Sequence, residues 1–131
     1  MKVFTLALLV TVAATAASAQ SLPECKGHFE VIRADAIKPG KMDEFKKAVA
    51  DHQAWYKAHG LGDRILLAQI IKEDISGTRA YAQDQAITVH VVGPMTATPP
   101  PDDAWNAFLA EYKDSSSITN TTNVCVLEPA S

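Results

Sequence analysis

The chain has 131 residues, 47% of them hydrophobic and 21% charged, with a formal net charge of −3 at pH 7. That length suits one domain with one core, and the acidic balance leaves no basic excess to draw nucleic acid or anionic lipid. After the first residues there is no second long apolar run, heptad array, repeat or low-complexity tract, so a soluble globular domain is expected.

Met1-Lys2 gives a short positive start, Val3 to Ala16 is apolar and small, and Ala17-Ser18-Ala19 places small residues where a signal peptidase reads. This is the secretory pattern, and the run is too short to span a bilayer at roughly 20 residues. The expected organisation is a signal peptide over residues 1–19, cleaved before Gln20, and a single domain over residues 20–131. The protein is then secreted or periplasmic, with no membrane attachment after cleavage. Cys25 and Cys125 are the only cysteines, one near each end of the mature chain. In an oxidising compartment an even pair reads first as a disulfide, and two such ligands alone cannot close a zinc site. No metal site is expected.

His28 to Ile37 is β-like, with Phe29 and Val31 alternating against His28 and Glu30, and it stops at Lys38-Pro39-Gly40. From Lys41 the period becomes helical. Met42, Phe45, Val49, His52, Tyr56 and His59 recur along one face, widened by Ala48 and Trp55, with Asp43 and Glu44 in the first turn and Gly60 as a left-handed stop. Arg64 to Lys72 is a short apolar run read as a strand buried on both faces. Glu73 to Asp84 is polar and reads as a loop with a short helical turn near Tyr81.

Gln85 to Val92 is a further strand, with Ile87, Val89 and Val91 on one face and Thr88 and His90 on the other. The prolines of Gly93 to Pro101 exclude either element there. Asp102 or Asp103 can cap a second helix bearing Trp105, Phe108, Leu109 and Tyr112 on one stripe. Ile118 to Leu127 closes the chain as a strand rich in threonine and valine. It contains Asn120-Thr121-Thr122, a triplet that is a glycosylation acceptor only in a host that glycosylates.

The order strand, helix, strand, strand, helix, strand is that of an α+β, ferredoxin-like βαββαβ fold: a four-stranded antiparallel sheet with two helices on one face. In it the first and last strands are antiparallel neighbours, which brings Cys25 and Cys125 together. The helices cover one face of the sheet, and the other also carries apolar residues. A second copy packed there would give a two-fold homodimer.

The stretch Val31 to Gly60, with Lys38-Pro39-Gly40-Lys41 and then Asp43-Glu44-Phe45 opening a helix that closes at His59-Gly60, resembles the dimeric α/β-barrel superfamily. Within it the similarity is to antibiotic-biosynthesis-monooxygenase-like and NIPSNAP-like members. The resemblance implies a dimeric α/β barrel and a range of activities, among them cofactor-free oxygenases, haem-degrading enzymes, isomerases and dehydratases, so fold alone does not choose the chemistry. Haem-degrading relatives are expected to supply a histidine from the second helix, and Asp102 to Asp114 contains none.

His52 stands where an apolar residue is expected, and either packs in the core or serves as a pocket base titrating near neutral pH. His90 is the second candidate base. Trp55, Tyr56, Trp105 and Tyr112 are candidate pocket walls, and Gln69 and Arg33 candidate ligand-binding polar groups, provided they converge. Otherwise Arg33 and Asp35 form an ion pair and His90 bonds to backbone. The function expected is an exported small-molecule-binding protein for a small hydrophobic or aromatic ligand, acting without cofactor as an oxygenase or isomerase on a histidine base. A non-catalytic ligand- or protein-binding dimer is the competing expectation.

Overall fold

A computed structural model describes residues 24–94 and 99–127. The expected signal peptide and its cleavage point lie outside the described residues, as does part of the proline-rich loop before the second helix. The elements are β1 (His28–Ile37), α1 (Met42–Ala58), β2 (Arg64–Glu73), β3 (Arg79–Val91), α2 (Asp103–Ser115) and β4 (Ser116–Val126). The four strands form one antiparallel sheet in the order β2-β3-β1-β4, the α+β ferredoxin-like arrangement.

Local chemistry explains the boundaries. Gly40 (φ 73°) turns the chain between β1 and α1, and Gly60 (φ 66°) stops α1; both lie in the left-handed region that glycine occupies without strain. Asp102 caps α2, its carboxylate accepting the backbone N–H of Trp105 at 2.7 Å. At the other end α2 passes into β4 without a loop. The hydroxyls of Ser115 and Ser116 donate to the carbonyls of Glu111 and Tyr112, at 2.7 and 3.1 Å, satisfying helix-end acceptors.

Two expectations need correction. Residues 73–84 are neither a loop nor a helical turn at Tyr81, because β3 already starts at Arg79. Asp74 accepts the backbone N–H groups of Ser76 and Thr78, and Gly77 takes φ 83°, so residues 74–78 make a tight hairpin turn. The ion pairs Glu73–Arg79 and Lys72–Asp84 then tie the two strands. Nor is β2 buried on both faces in this chain. It is an edge strand, with Ile65 buried while Leu66 is 50% exposed.

Cross-strand register fixes what each sheet face carries. The rows Ile65–His90–Val31, Leu67–Thr88–Arg33 and Gln69–Ala86–Asp35 face the helices, where Ile65 and Ala86 join Ile37, Met42, Phe45, Val49, Trp55, Tyr56 and Phe108 in the core. The alternate rows, Leu66–Val89–Ile32 and Ala68–Ile87–Ala34, lie on the face without helices.

Candidate functional site

A cavity of about 370 Å³ opens between the helix-facing side of the sheet and the two helices. The strands bring Arg33, Asp35, Ile65 and Thr88 to its floor, α1 contributes His52, and α2 contributes Leu109, Tyr112 and Lys113. The first residues of β4, Ser116 to Ile118, close the side. Arg33 and Asp35 enter together because residues two apart on a strand share a face. Thr88 pairs with Arg33 across the ladder, and a register shift in β4 places Ile118 opposite Asp35. Leu109 and Ile118 are 45% and 58% exposed, an apolar pair on the rim.

Asp35 is 5% exposed. The only hydrogen bond to its carboxyl group among the described residues comes from the Thr88 hydroxyl at a long 3.4 Å. Burial pushes its carboxyl above the usual range, against the smaller opposing effects of the Thr88 bond and the Arg33 charge. Arg33 is half-buried and its side chain makes no hydrogen bond or ion pair with a described residue, so the expected Arg33–Asp35 ion pair does not form. Its charge nevertheless acts on Asp35, His52, Tyr56 and Tyr112, as a smaller effect than burial in each case.

The His52 ring stacks on Phe108 at 4.4 Å and lies 4.8 Å from Tyr56. Its Nδ1 is 3.3 Å from the Tyr112 hydroxyl, and its buried Nε2 has no partner among the described residues. Burial, followed by the smaller effects of neighbouring His90 and Arg33, depresses its pKa to about 4, so the ring is neutral at pH 7. Burial raises the Tyr112 phenol well above its ordinary value, which keeps that hydroxyl protonated. The cavity therefore offers a fixed cation, a carboxyl of raised proton affinity, a phenolic donor and a neutral imidazole against apolar walls.

Of the residues singled out in the sequence, Arg33, His52 and Tyr112 are brought together here. His90 faces the same layer but lies outside the cavity. Its Nε2 is 2.7 Å from the Asp63 carboxylate, and its ring stacks on Tyr56 at 5.3 Å. Tyr56 is core, its phenol raised to about 12 chiefly by burial. Gln69 is separated from Asp35 by Ala86 and does not line the cavity.

Trp55 donates its indole N–H to Asp102 at 2.9 Å, and Trp105 packs against it at 4.6 Å; neither reaches the cavity. The Cys25–Cys125 disulfide forms, with Cα atoms 5.7 Å apart, at the end of the β1–β4 pair. That bond suits an oxidising compartment. No described helix is long and apolar enough to cross a membrane. Among the described residues, no group of three or more His, Cys, Asp or Glu side chains is placed to hold a metal ion.

Sequence reasoning did not single out Ile65, Thr88, Leu109, Lys113, Ser116, Ser117 or Ile118 as site residues, and weighed Asp35 only as a partner for Arg33. The signal for Asp35 was present: a charged pair two residues apart on a strand with Val31 and Ile37 on the same face. The serines carried none, since they border the cavity only because α2 runs directly into β4.

No family model matches this chain, and no curated protein matches it. Among solved structures it is similar to a phage SAM lyase in complex with S-methyl-5'-thioadenosine, at 8% identity and a TM-score of 0.24. The likeness covers 82% of this chain and 97% of that one. It is too loose to bear on fold or function.

Proposed function

We propose that this is an exported, homodimeric small-molecule-binding protein of the dimeric α/β-barrel type, whose cavity performs cofactor-independent proton transfer on its ligand, as an isomerase does. The observation that carries the reading is the meeting of a buried carboxyl, Asp35, with a cation, Arg33, whose side chain has no partner among the described residues, and a protonated phenol, Tyr112, in one cavity with apolar walls. Small-molecule sites combine mostly apolar walls with a few convergent polar groups in this way.

The chemistry follows from those groups. Asp35 as carboxylate removes a proton from carbon next to a ligand carbonyl, and the C–H electron pair moves onto the carbonyl oxygen. The Tyr112 hydroxyl donates a hydrogen bond to that oxyanion, and the nearby Arg33 charge stabilises it. Asp35 then returns the proton to a neighbouring carbon, so the bond shifts with no oxidant or reductant consumed. Raised proton affinity suits Asp35 to both steps. His52, with its basicity cut to about 4, orients Tyr112 through Nδ1. Cofactor-free oxygenation would start from the same carbanion and consume dioxygen.

The test is deuterium incorporation at the α-carbon of small ketones and keto acids in D2O, followed by NMR. The wild-type protein should exchange faster than buffer, and Asp35→Asn should lose roughly 10²–10⁴ of that rate, the range of general acid–base catalysis. One observation favours the non-catalytic alternative: the His52 ring is packed between Phe108 and Tyr56 like a core residue. Ligand-induced shifts with no exchange in the wild type would establish that reading instead. Export rests on the secretory pattern of residues 1–19 and on the disulfide, and predicts a mature N-terminus at Gln20 by protein sequencing.

A further inference from the structure

A half-buried guanidinium costs free energy unless its donors are satisfied, and no described carboxylate or carbonyl satisfies those of Arg33. Asp35 and Asp63 are both otherwise engaged. Asp35, the next residue on the same strand face, is bonded by Thr88 and is pushed by burial towards its neutral form. Asp63 is engaged by His90 at 2.7 Å. Lys113 adds a second positive group to the cavity lining, and its own carbonyl is taken by the Lys38 ammonium at 2.7 Å.

The cavity lining thus holds two cations, Arg33 and Lys113, and the Tyr112 and Ser117 hydroxyls, against a single carboxyl, Asp35. His52, Thr88, Ser116, Ile65, Leu109 and Ile118 complete the lining. Its 370 Å³ lies at the small end of ligand pockets, which run from roughly 300 to 1,000 Å³.

We infer that the ligand is a small monocarboxylate with an apolar body, its carboxylate paired with the Arg33 guanidinium and its body against Ile65, Leu109 and Ile118. This rests on the small-molecule reading above and narrows it to a ligand class. Arg33 is suited to the role because its planar fork matches a carboxylate bidentately. Lys113 at the rim adds attraction on entry without that geometry.

The experiment titrates the full chain with hexanoate and benzoate, with the neutral hexanamide and benzamide, and with inorganic phosphate. It reads calorimetric affinity and the methyl NMR shifts of Ile65, Leu109 and Ile118. The acids should bind roughly tenfold or more tighter than their amides, as expected for a hydrogen-bonded charge. Arg33→Gln should abolish that preference, and Arg33→Lys should restore part of it; circular dichroism confirms that both variants fold.

Amides that bind as well as the acids, or a preference that survives in Arg33→Gln, would overturn the carboxylate assignment and leave the small-molecule reading standing. Phosphate binding as tightly as the acids, without shifting the three methyls, would overturn the apolar-body assignment. If no probe binds or shifts those methyls, both readings fail.

Discussion

His52 and Asp35 are buried in one cavity and respond to pH with opposite signs. The folded-state pKa of His52 is depressed to about 4 from 6.5, so its contribution to stability is complete above pH 6.5 and is lost as pH falls towards 4. After discounting for its partial exposure, the loss is on the order of 2 kcal/mol. Urea unfolding at pH 7 and pH 4.5 should show that loss in the wild type and a flatter profile in His52→Leu.

Asp35 runs the other way. Its folded pKa is raised above 3.8, so its favourable contribution belongs to the protonated form below 3.8 and is lost as pH rises through the folded value. As pH rises, keeping this carboxyl buried becomes a cost. Asp35→Asn keeps an acceptor for Thr88 and removes that cost, so its Tm at pH 7 should rise by a few degrees while proton exchange is lost. A gain in stability with a loss of function is the mark of a strained functional group; a fall in Tm would make Asp35 structural.

At the scale of elements, Asp102 joins the two helices. Its Oδ1 accepts the N–H of Trp105 and the indole N–H of Trp55, while Oδ2 lies 3.3 Å from Nε2 of His59, whose Nδ1 reaches the Trp55 carbonyl at 2.8 Å. Removing that carboxylate uncaps α2 and releases the C-terminal turn of α1. Thermal unfolding of Asp102→Ala should show a fall of several degrees in Tm, and Asp102→Asn, which retains Oδ1, a smaller one. The helix ends were legible in sequence because Gly40, Gly60 and the Asp102 cap act within about three residues of themselves.

The hairpin was not legible. Lys72, Glu73, Arg79 and Asp84 look like a polar loop until cross-strand pairing shows each charge beside its opposite. Convergence at the site was half legible. Alternation put Thr88 and His90 on one face of β3. Only the register, including the shift after Ala34, shows that Arg33, Asp35 and Thr88 meet in the cavity while Gln69 and His90 fall outside it. A one-residue slip would have reversed the assignment.

For the whole molecule, two features act across the chain's length. The disulfide joins residues 100 positions apart, where Phe29 pairs with Cys125 on neighbouring strands. Closing a loop of that size restricts the unfolded chain by up to about 4–5 kcal/mol, so Cys125→Ser should move the urea midpoint strongly downwards with little change in the folded spectrum. The sheet face without helices is the second feature. Leu66–Val89–Ile32 and Ala68–Ile87–Ala34 make two apolar rows across its three adjacent strands, and Leu66 stays 50% exposed in the single chain. The proposed second copy would bury both rows against themselves.

Val89→Lys tests this without touching the cavity. In a monomer it alters an already accessible face and should change stability within about 1 kcal/mol. In a two-fold dimer it buries two like charges in one interface. Sedimentation should show a wild-type dimer and a folded Val89→Lys monomer. A wild type that stays monomeric at micromolar to millimolar concentration would leave the apolar rows needing a different cover and would remove homodimerisation from the proposed function.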